Sequence, residues 1–348
     1  MTDAGTNARD AVSSGRTLAE FTTLRVGGPA DELVEAKSPS EALEALRERE
    51  NSLVLAGGSN LVIGDGGFAG RVVRLVDGAF EPLGGGRVRV DAGREWDSFV
   101  RWTVDNGLSG IEALSGIPGS AGATPIQNVG AYGQEVAETI ESVRVWDRET
   151  DEVRTMSGAE CGFSYRHSVF KHNQRHFVMD VTFRLEETPL SQPVRYAELA
   201  KRLGVSVGDR AESADVRRTV LELRRGKGMV LDPDDRDTWS AGSFFTNPVV
   251  SERTFARIAE TLGEEPVNWA VREGVKLSAA WLIGRAGFPK GFRLGEAGLS
   301  TKHVLALTNR GDATAADVLA LARHISDMVF LEAGVKLRPE PVFVGVRW

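Results

Sequence analysis

A long irregular segment at residues 115–136, SGIPGSAGATPIQNVGAYGQEV, restricts the fold of this chain more than any other feature. It contains five glycines and two prolines, a density that helices and strands do not accommodate. Loops of this length inside a compact domain are usually functional. Small side chains let a flat ligand approach the backbone, and Gln127 and Asn128 offer amide donors and acceptors. The segment therefore indicates a cradle for a phosphate-bearing ligand, although turn-rich structure alone would also explain it.

A second glycine-rich motif, LAGGSNLVIGDGG, occupies residues 55–67 and follows an apolar run that predicts a buried strand. Glycine takes positive φ without a Cβ clash, so backbone N–H groups of the Gly-Gly-Ser-Asn turn can face outward and bind pyrophosphate oxygens. The motif is not a Rossmann GxGxxG, because no long helix follows it, and it lacks the Lys-Ser/Thr ending of a Walker loop. Taken alone, it is more typical of a glycine-rich hairpin than of a binding site.

The rest of the chain mixes helical and strand patterns and predicts an α+β fold. Residues 38–48 predict a helix with Ser38 as N-cap and Pro39 at the first helical position. Period-2 alternation in several strands indicates a substantial antiparallel part. Further helices are predicted at 95–106, 251–262, 278–287 and 314–334, and strands at 52–56, 71–76, 87–93, 141–147, 151–156, 176–185 and 341–348.

Composition excludes several classes of protein. The 348 residues carry a net charge of −7, which argues against nucleic-acid binding because that function requires a positive surface. Cys161 is the only cysteine, so neither an intrachain disulfide nor a thiolate metal site can form. His172 and His176 have an i, i+4 spacing, but the polar residues between them favour a turn, and no metal is expected.

The sequence shows no targeting or membrane segment. Its first residues are polar and lack the basic and apolar regions of a secretory signal, so residues 1–16 are predicted to be a disordered arm. No stretch approaches 18 consecutive apolar residues. We therefore expect a cytoplasmic protein whose partners include neither a membrane nor a nucleic acid.

Five motifs, in the same order, resemble one enzyme family. AGGSN and GIPGSAGATPIQNVGAYG resemble the flavin-binding half of the vanillyl-alcohol-oxidase-like FAD superfamily. The chain as a whole resembles the UDP-N-acetylenolpyruvoylglucosamine reductases within it, over residues 17–348. The further motifs that carry this resemblance are FSYRHSVFK at 163–171, AGSFFTNPV at 241–249 and LRPEPVFVG at 337–345.

The resemblance implies a two-part, vanillyl-alcohol-oxidase-like FAD-binding α+β domain and a smaller α+β substrate-binding domain. Residues 17–77 would form the first FAD-binding subdomain, 78–230 the second, and 231–336 the substrate-binding domain. Residues 337–348 would return to the first subdomain or to the active site.

FAD is the implied cofactor and NADPH the implied reductant. Because neither glycine-rich stretch contains Cys or His, FAD is expected to bind noncovalently. No separate NADPH fingerprint is visible, and the resemblance implies that NADPH and the UDP-sugar use one site in turn. The residues implied in FAD binding are Ala56, Gly57, Gly58, Ser59, Asn60, Leu61, Ile117, Pro118, Gly119, Ser120, Gly122, Ala123, Gln127, Asn128 and Gly130.

The implied reaction reduces the enolpyruvyl ether of UDP-N-acetylglucosamine to UDP-N-acetylmuramate in peptidoglycan precursor synthesis. Hydride reaches the vinyl carbon, an enolate-like charge develops beside the carboxylate, and the α carbon takes up a proton. By position in their motifs, Arg166 and Glu340 would stabilise the intermediate and Ser243 would donate the proton. Each residue alone has a simpler interpretation: a surface Arg in a β-turn, a solvated turn carboxylate, or a Ser in a turn before a strand.

Substrate contacts are also implied by the resemblance. Tyr196, Lys227, Asn247 and Lys276 would contact the UDP moiety. The basic run that ends at Lys227 fits a diphosphate, although such a cluster also suits a solvated loop. Tyr196 favours the class of these reductases that closes a tyrosine-bearing loop over the substrate, and residues 185–218 are long enough to form that loop.

Two other functions would share part of these features. An FAD oxidase or dehydrogenase acting on an alcohol or a sugar lactone would have both flavin loops but no reason to carry the YRHS, GSFF and RPEP motifs together. A nonenzymatic flavin- or nucleotide-binding module would hold a flavin that NADPH cannot reduce.

Overall fold

A computed structural model of the protein describes Val12, Ser13 and residues 15–348. The predicted disordered arm, residues 1–16, lies largely outside the described residues. Val12 and Ser13, within that stretch, pair with the strand at Ala30–Ala36.

The described part of the chain contains short and medium-length elements throughout. Its strands are β1 (Val12–Ser13), β2 (Ala30–Ala36), β3 (Ser52–Leu55), β4 (Leu61–Ile63), β5 (Phe68–Leu75), β6 (Phe80–Gly84), β7 (Arg87–Asp91), β8 (Leu108–Ser109), β9 (Gly130–Ala131), β10 (Gln134–Glu135), β11 (Ile140–Asp147), β12 (Glu152–Ser157), β13 (His176–Arg184), β14 (Glu186–Glu187), β15 (Ser240–Ser243), β16 (Val249–Val250), β17 (Asn268–Val271), β18 (Gly274–Leu277), β19 (Arg293–Leu294), β20 (Ala297–Leu299), β21 (Ala306–Asn309) and β22 (Val342–Val344). Its α-helices are α1 (Pro39–Arg47), α2 (Trp96–Asp105), α3 (Ala197–Leu203), α4 (Ser213–Gly226), α5 (Glu252–Leu262), α6 (Ala279–Arg285) and α7 (Ala315–Ala333). Short 3₁₀ turns occur at Leu18–Phe21, Glu112–Leu114, Ala121–Ala123, Val136–Glu138 and Arg236–Thr238.

The described residues form two compact units, each assembled from separate stretches of sequence. The first contains the described residues up to Arg16, Ala30–Gly57 and Ala69–Arg225; the second contains Thr17–Pro29, Gly58–Phe68 and Gly226–Trp348. The predicted boundary between residues 230 and 231 therefore lies close to the start of the last stretch. Residues 17–29 and 58–68, predicted within the first FAD-binding subdomain, join the second unit because Leu24, Val26 and Val62 enter its core.

The first unit begins with a four-stranded sheet in the order β1-β2-β5-β3, in which β3 and β5 run parallel. Helix α1 connects β2 to β3. Its Ser38 side chain accepts a hydrogen bond from Glu41 N, and Pro39 lies at the start of the helix. Ala42 and Leu46 are buried because their spacing places them on one face. The helix predicted over residues 38–48 is confirmed.

The second sheet of this unit has the order β12-β11-β13-β7-β6, and all its pairings are antiparallel. Helix α2 contributes Trp96 and Phe99 to an aromatic cluster with Phe183, with ring centroids 5.5 to 6.0 Å apart. Trp96 Nε1 donates a hydrogen bond to Leu114 O (3.0 Å). This buried contact fixes the point at which the segment 115–136 begins.

The segment predicted as a tyrosine-bearing loop, residues 185–218, contains one helix and the start of a second. Helix α3 begins after Tyr196, and α4 begins at Ser213. Leu199, Val216 and Val220 bury their side chains in a small core of their own. The apolar residues recur at helical spacing, which gives these helices a face to bury.

The second unit contains the sheets β15-β21-β20-β19 and β16-β18-β17 and the pair β22-β4. Helix α7 buries Val318, Leu321 and Ile325 in the core of this unit. Strand β22 runs parallel to β4, with Val342 opposite Leu61. The C-terminal residues thus return to the stretch that follows the Gly-Gly-Ser-Asn turn.

Both units mix helices with largely antiparallel sheets, so the predicted α+β class is confirmed. The described helices include none with both the length and the apolar character needed to cross a bilayer.

Candidate active site

The two glycine-rich stretches meet through backbone atoms in the first unit. A Cβ added to Gly57 would lie 2.9 Å from Gly119 Cα, and one added to Gly122 would lie 2.4 Å from Ala92 Cβ. Both distances are shorter than side-chain contacts allow, so glycine is required at both positions. The two stretches therefore pack backbone against backbone at Gly57 and Gly119. Gly57 is exposed beside this contact, and such bare backbone is of the kind that pyrophosphate groups and flat rings approach closely.

A carboxylate anchors the start of the segment 115–136. Gly116 N donates to Asp97 (2.6 Å), and Arg217 donates two hydrogen bonds to the same carboxylate (2.6 and 2.8 Å). Burial acts to raise the pKa of Asp97, but the hydrogen bonds from Arg217 and Gly116 outweigh it and hold that pKa below its ordinary value. The ionised carboxylate therefore fixes the first turn of the segment.

The 55–67 motif combines a glycine-dependent turn with a helix cap, both in the second unit. Gly58 has a φ of +57°, and a Cβ there would lie 2.1 Å from Phe21 O, so this turn also requires glycine. The Asp65 side chain accepts hydrogen bonds from Ala315 N (2.7 Å) and Ala316 N (3.1 Å) at the start of α7. No local pattern predicts this cap, because the helix lies 250 residues further along the chain.

Arg166 lies in the first unit, in a tight turn whose flanking residues Ser164 and His167 exchange backbone hydrogen bonds of 3.1 Å. Its φ of +53° is uncommon for a residue with a side chain, and such residues concentrate at functional sites. Arg166 Nη2 donates to Gly130 O (2.7 Å). The predicted catalytic arginine thus occupies a β-turn but rests its guanidinium against the segment 115–136.

Other residues of the FSYRHSVFK motif fasten this turn to the same segment. Asn128 Nδ2 donates to Ser164 O (3.1 Å). Lys171 Nζ donates to Gln127 Oε1 (3.4 Å) and to Arg166 O (3.1 Å). Gln127 and Asn128, both predicted to contact the cofactor, therefore also hold the loop that carries Arg166.

Ser243 lies in the second unit at the end of β15, where Gly242 has a φ of +73° and the pairing with β21 is irregular. Its Oγ lies 3.3 Å from His303 Nε2. Burial, followed by the positive charges of Lys227 and Lys290, lowers the pKa of His303 from 6.5 to about 4. The imidazole beside Ser243 is therefore neutral at physiological pH.

This cluster contains two predicted residues, Ser243 and Lys227. It also contains His303 and Lys290, which are not among the predicted site residues. Lys227 was predicted as a pyrophosphate contact, and its influence on His303 places its charge near the neighbour of Ser243. Lys290 has the same influence and was not predicted. The only local sign of a role for Lys290 is its position between Pro289 and Gly291. The residues next to His303 in the sequence give no indication that it contacts Ser243.

Glu340 lies on a segment that runs beside the residue following Ser243. Glu340 N donates to Phe244 O (2.8 Å). Asn60 Nδ2 approaches Glu340 O at 3.5 Å. The second unit thus brings Asn60 of the GGSN motif together with the GSFF and RPEP motifs, although they are far apart in sequence.

Tyr196, a predicted substrate residue, is exposed at the start of α3 in the first unit. Its ring packs edge-on against Tyr132, with centroids 5.3 Å apart. Tyr132 belongs to the segment 115–136, has a φ of +50°, and has its pKa raised to about 12, chiefly by burial. The structure therefore places Tyr196 against the predicted flavin-binding loop.

Asn247 and Lys276, the other predicted substrate residues, lie in the second unit. Asn247 Oδ1 accepts a hydrogen bond from Ala279 N (3.0 Å) at the start of α6. Lys276 lies on β18, with its Nζ 6.0 Å from the ring centroid of Trp269. Both side chains thus have structural contacts in addition to any with a ligand.

Comparison with known proteins finds matches along nearly the whole chain. Residues 30–157 match the FAD binding domain family, and residues 232–344 match the family described as UDP-N-acetylenolpyruvoylglucosamine reductase, C-terminal domain. The UDP-N-acetylenolpyruvoylglucosamine reductase of Thermobifida fusca is 56% identical over 344 residues, covering 94% of this chain and 97% of the relative. The protein of the same name from Streptomyces avermitilis is 54% identical over 342 residues, 94% of each chain.

A solved structure agrees with these matches. The crystal structure of UDP-N-acetylenolpyruvylglucosamine reductase (MurB) from Thermus caldophilus superposes with a TM-score of 0.69 at 28% identity, covering 96% of this chain and 98% of that one. The predicted organisation, an FAD-binding part and a further C-terminal domain, is confirmed.

Proposed function

Because this chain belongs to the UDP-N-acetylenolpyruvoylglucosamine reductase family of FAD-dependent oxidoreductases, we propose that it uses NADPH to reduce the enolpyruvyl ether of UDP-N-acetylglucosamine. The product would be UDP-N-acetylmuramate, a peptidoglycan precursor. The observation that carries the proposal is the 56% identity to the Thermobifida fusca reductase over 94% of this chain. The motif residues discussed below give the proposal its chemistry.

FAD fits the exposed backbone of Gly57 beside Gly119, because neither residue has a side chain that would keep a ligand away from the backbone, and the match to the FAD binding domain spans both loops. Bound FAD would take two electrons from NADPH and deliver a hydride to the vinyl carbon. The loops around it contain no Cys or His, which supports noncovalent binding. The residues proposed to hold FAD are Ala56, Gly57, Gly58, Ser59, Asn60, Leu61, Ile117, Pro118, Gly119, Ser120, Gly122, Ala123, Gln127, Asn128 and Gly130.

Ser243 is the proposed proton donor to the α carbon. A serine hydroxyl is a weak acid, so it needs neighbours that stabilise the alkoxide left behind. The nearby His303 and the positive charges of Lys227 and Lys290 support this role. Ser243 would therefore act in the half-reaction that consumes the substrate, after the flavin has been reduced.

Arg166 and Glu340 are proposed to stabilise the enolate-like intermediate. A guanidinium holds a carboxylate with two hydrogen bonds and stays charged, and the contact of Arg166 with Gly130 orients it in advance. Glu340 stands between two prolines and is tied through its backbone to Phe244, so its position is rigid. Its carboxyl group would donate a hydrogen bond to the intermediate when protonated.

Tyr196, Lys227, Asn247 and Lys276 are proposed to contact the UDP moiety, and NADPH is proposed to use the same site before the UDP-sugar. Lys227 supplies a positive charge near His303, and a cation there suits the negative charge of a diphosphate. The edge contact between Tyr196 and Tyr132 supports a position for Tyr196 over the flavin-binding loop.

An anaerobic two-step assay tests the proposed function. Adding NADPH to the purified yellow protein should bleach the flavin band, and adding the enolpyruvyl UDP-sugar should restore it. A flavin that NADPH does not bleach would indicate a binding module. A flavin that an alcohol or sugar lactone reduces instead would indicate an oxidase or dehydrogenase of the wider superfamily.

The Ser243→Ala variant tests the proton donor. Flavin reduction by NADPH should remain nearly intact, because that step needs no proton on the α carbon. Flavin reoxidation by the UDP-sugar should slow by about 10²-fold to 10⁴-fold, the usual contribution of a positioned proton donor. Stopped-flow absorbance measures both steps in one preparation. Equal loss of both would mean that Ser243 shapes the binding site instead.

A further inference from the structure

We propose that His303 positions Ser243 for proton donation, by donating a hydrogen bond from its Nε2–H to Ser243 Oγ. The two atoms are 3.3 Å apart and belong to the same unit. The inference rests on the proposed role of Ser243 and adds a second residue to that chemistry. His303 itself neither gains nor loses a proton in the reaction.

The direction of this hydrogen bond decides what Ser243 can do. If the serine hydroxyl donates to the imidazole, its proton points at His303 and is withheld from the substrate. If Nε2–H donates instead, the hydroxyl proton is available and the oxygen keeps a donor as negative charge develops. A neutral imidazole carries one N–H, so the two arrangements require different tautomers. Proton donation by Ser243 requires the Nε2–H tautomer.

The surroundings of His303 favour this role. Burial, Lys227 and Lys290 lower the pKa of the imidazole to about 4, so an imidazolium does not compete with Ser243 as the acid. The same two ammonium groups favour negative charge on the serine oxygen over neutral oxygen. The charges that act with burial to keep His303 neutral would therefore also stabilise the alkoxide.

Two hydrogen bonds hold the backbone of His303 in place. His303 N donates to Ser300 Oγ (3.2 Å), and Ala306 N donates to His303 O (3.0 Å). These contacts lie in the connection between β20 and β21, and β21 pairs with the strand that carries Ser243. The donor and its partner are thus built on one sheet, which suits a fixed hydrogen bond.

The proton balance of the step is simple. The hydroxyl proton leaves Ser243 Oγ and forms the new C–H bond at the α carbon. The oxygen becomes an alkoxide that accepts the hydrogen bond from His303 Nε2–H. A proton from bulk solvent, relayed by water, then returns to the oxygen, so that the reaction consumes one solvent proton and the site is restored.

Two substitutions at His303 separate a hydrogen-bond donor from a space-filling group. His303→Leu removes the donor, so flavin reoxidation by the UDP-sugar should slow by about 10²-fold, as for other donors to a developing oxyanion, with reduction by NADPH nearly unchanged. His303→Gln keeps an N–H donor and should recover most of the lost rate. His324→Leu, a change to the other histidine of this unit, should leave both steps unchanged. Flavin content and melting temperature report whether each variant is folded.

A double-mutant comparison and a spectroscopic measurement complete the test. In the Ser243→Ala background, His303→Leu should cause no further slowing, because the group it serves is gone. Nitrogen-15 NMR of the imidazoles should show the Nε2–H tautomer for His303. An unchanged reoxidation rate in His303→Leu, or an Nδ1–H tautomer, would overturn the inference. Either result could occur while Ser243→Ala remains slow, whereas failure of NADPH to bleach the wild-type flavin would refute the proposed function itself.

Discussion

A neutral histidine beside Ser243 has a consequence for stability at low pH. The pKa of His303 is about 4 in the folded protein and 6.5 for an ordinary imidazole, so between these values the unfolded chain binds more protons. The free energy of unfolding is therefore not reduced by this residue above about pH 6.5, and it falls as the pH is lowered toward 4. The loss should reach about 3 kcal/mol at most.

Urea unfolding of the wild type and of His303→Gln across this pH range measures the effect. The glutamine does not titrate, so the free energy of unfolding of the wild type should fall relative to that of the variant as the solution is acidified. His172 and His176, whose pKa values are also lowered, are present in both proteins and cancel in the comparison. Parallel curves would show that the imidazole is not held neutral.

The two glycine-rich loops allow a matched pair of substitutions. A Cβ at Gly57 would lie 2.9 Å from Gly119 Cα, whereas a Cβ at Gly66 would meet no atom within 4 Å. Gly57→Ala should therefore push the loops apart at a cost of about 1–3 kcal/mol and weaken FAD binding. Gly66→Ala should leave the affinity unchanged. Flavin fluorescence titration of the apoprotein measures both, and equal affinities would remove Gly57 from the proposed FAD site.

Among the elements, α7 depends on a residue from a distant loop. Thr314 caps its N-terminus in a capping box. The Asp65 carboxylate also accepts hydrogen bonds from Ala315 N and Ala316 N in the first turn. Asp65→Ala should lower the free energy of unfolding by about 1 kcal/mol, because two helix N–H groups lose their acceptor and the helix dipole loses a negative charge.

The exposed Asp312, just before α7, is the control for this prediction. Asp312→Ala removes the same charge near the same helix without removing the cap, so its effect on the free energy of unfolding should be smaller. Thermal unfolding of the two variants decides between them. Equal destabilisation would mean that charge near α7, rather than the hydrogen bonds of Asp65, stabilises it.

The elements also show where local patterns predict structure well. Helices α1, α5 and α7 begin at Ser or Thr caps and follow an apolar period, and the sequence predicts each within a few residues. Helices α3 and α4 are not among the predicted elements, although their buried apolar residues recur at helical spacing.

At the scale of the whole molecule, the second unit is not a continuous piece of chain. Leu24, Val26 and Val62 belong to its core, and β4 pairs with β22. A fragment of residues 226–348 keeps β22 but lacks β4 and the three core residues, although it includes the whole of the matched C-terminal domain family. We expect this fragment to lack a cooperative unfolding transition, because its core would expose apolar surface that residues 17–29 and 58–68 otherwise cover.

Circular dichroism melting of the fragment, beside the full chain under the same conditions, tests this expectation. A sharp transition in the fragment would show that residues 226–348 fold alone and that residues 17–29 and 58–68 are not needed for a stable core.

The sequence by itself determined the α+β class, the two glycine-rich loops and the family, because periodicity, turn residues and motif order are properties of neighbouring residues. Tertiary structure alone decided which side chains meet: Asp65 caps a helix 250 residues away, and His303 contacts Ser243 across 60 residues. Such contacts depend on how sheets and helices pack, which no local pattern records. The motif alone therefore predicts the proposed proton donor, whereas only the fold reveals the residue proposed to orient it.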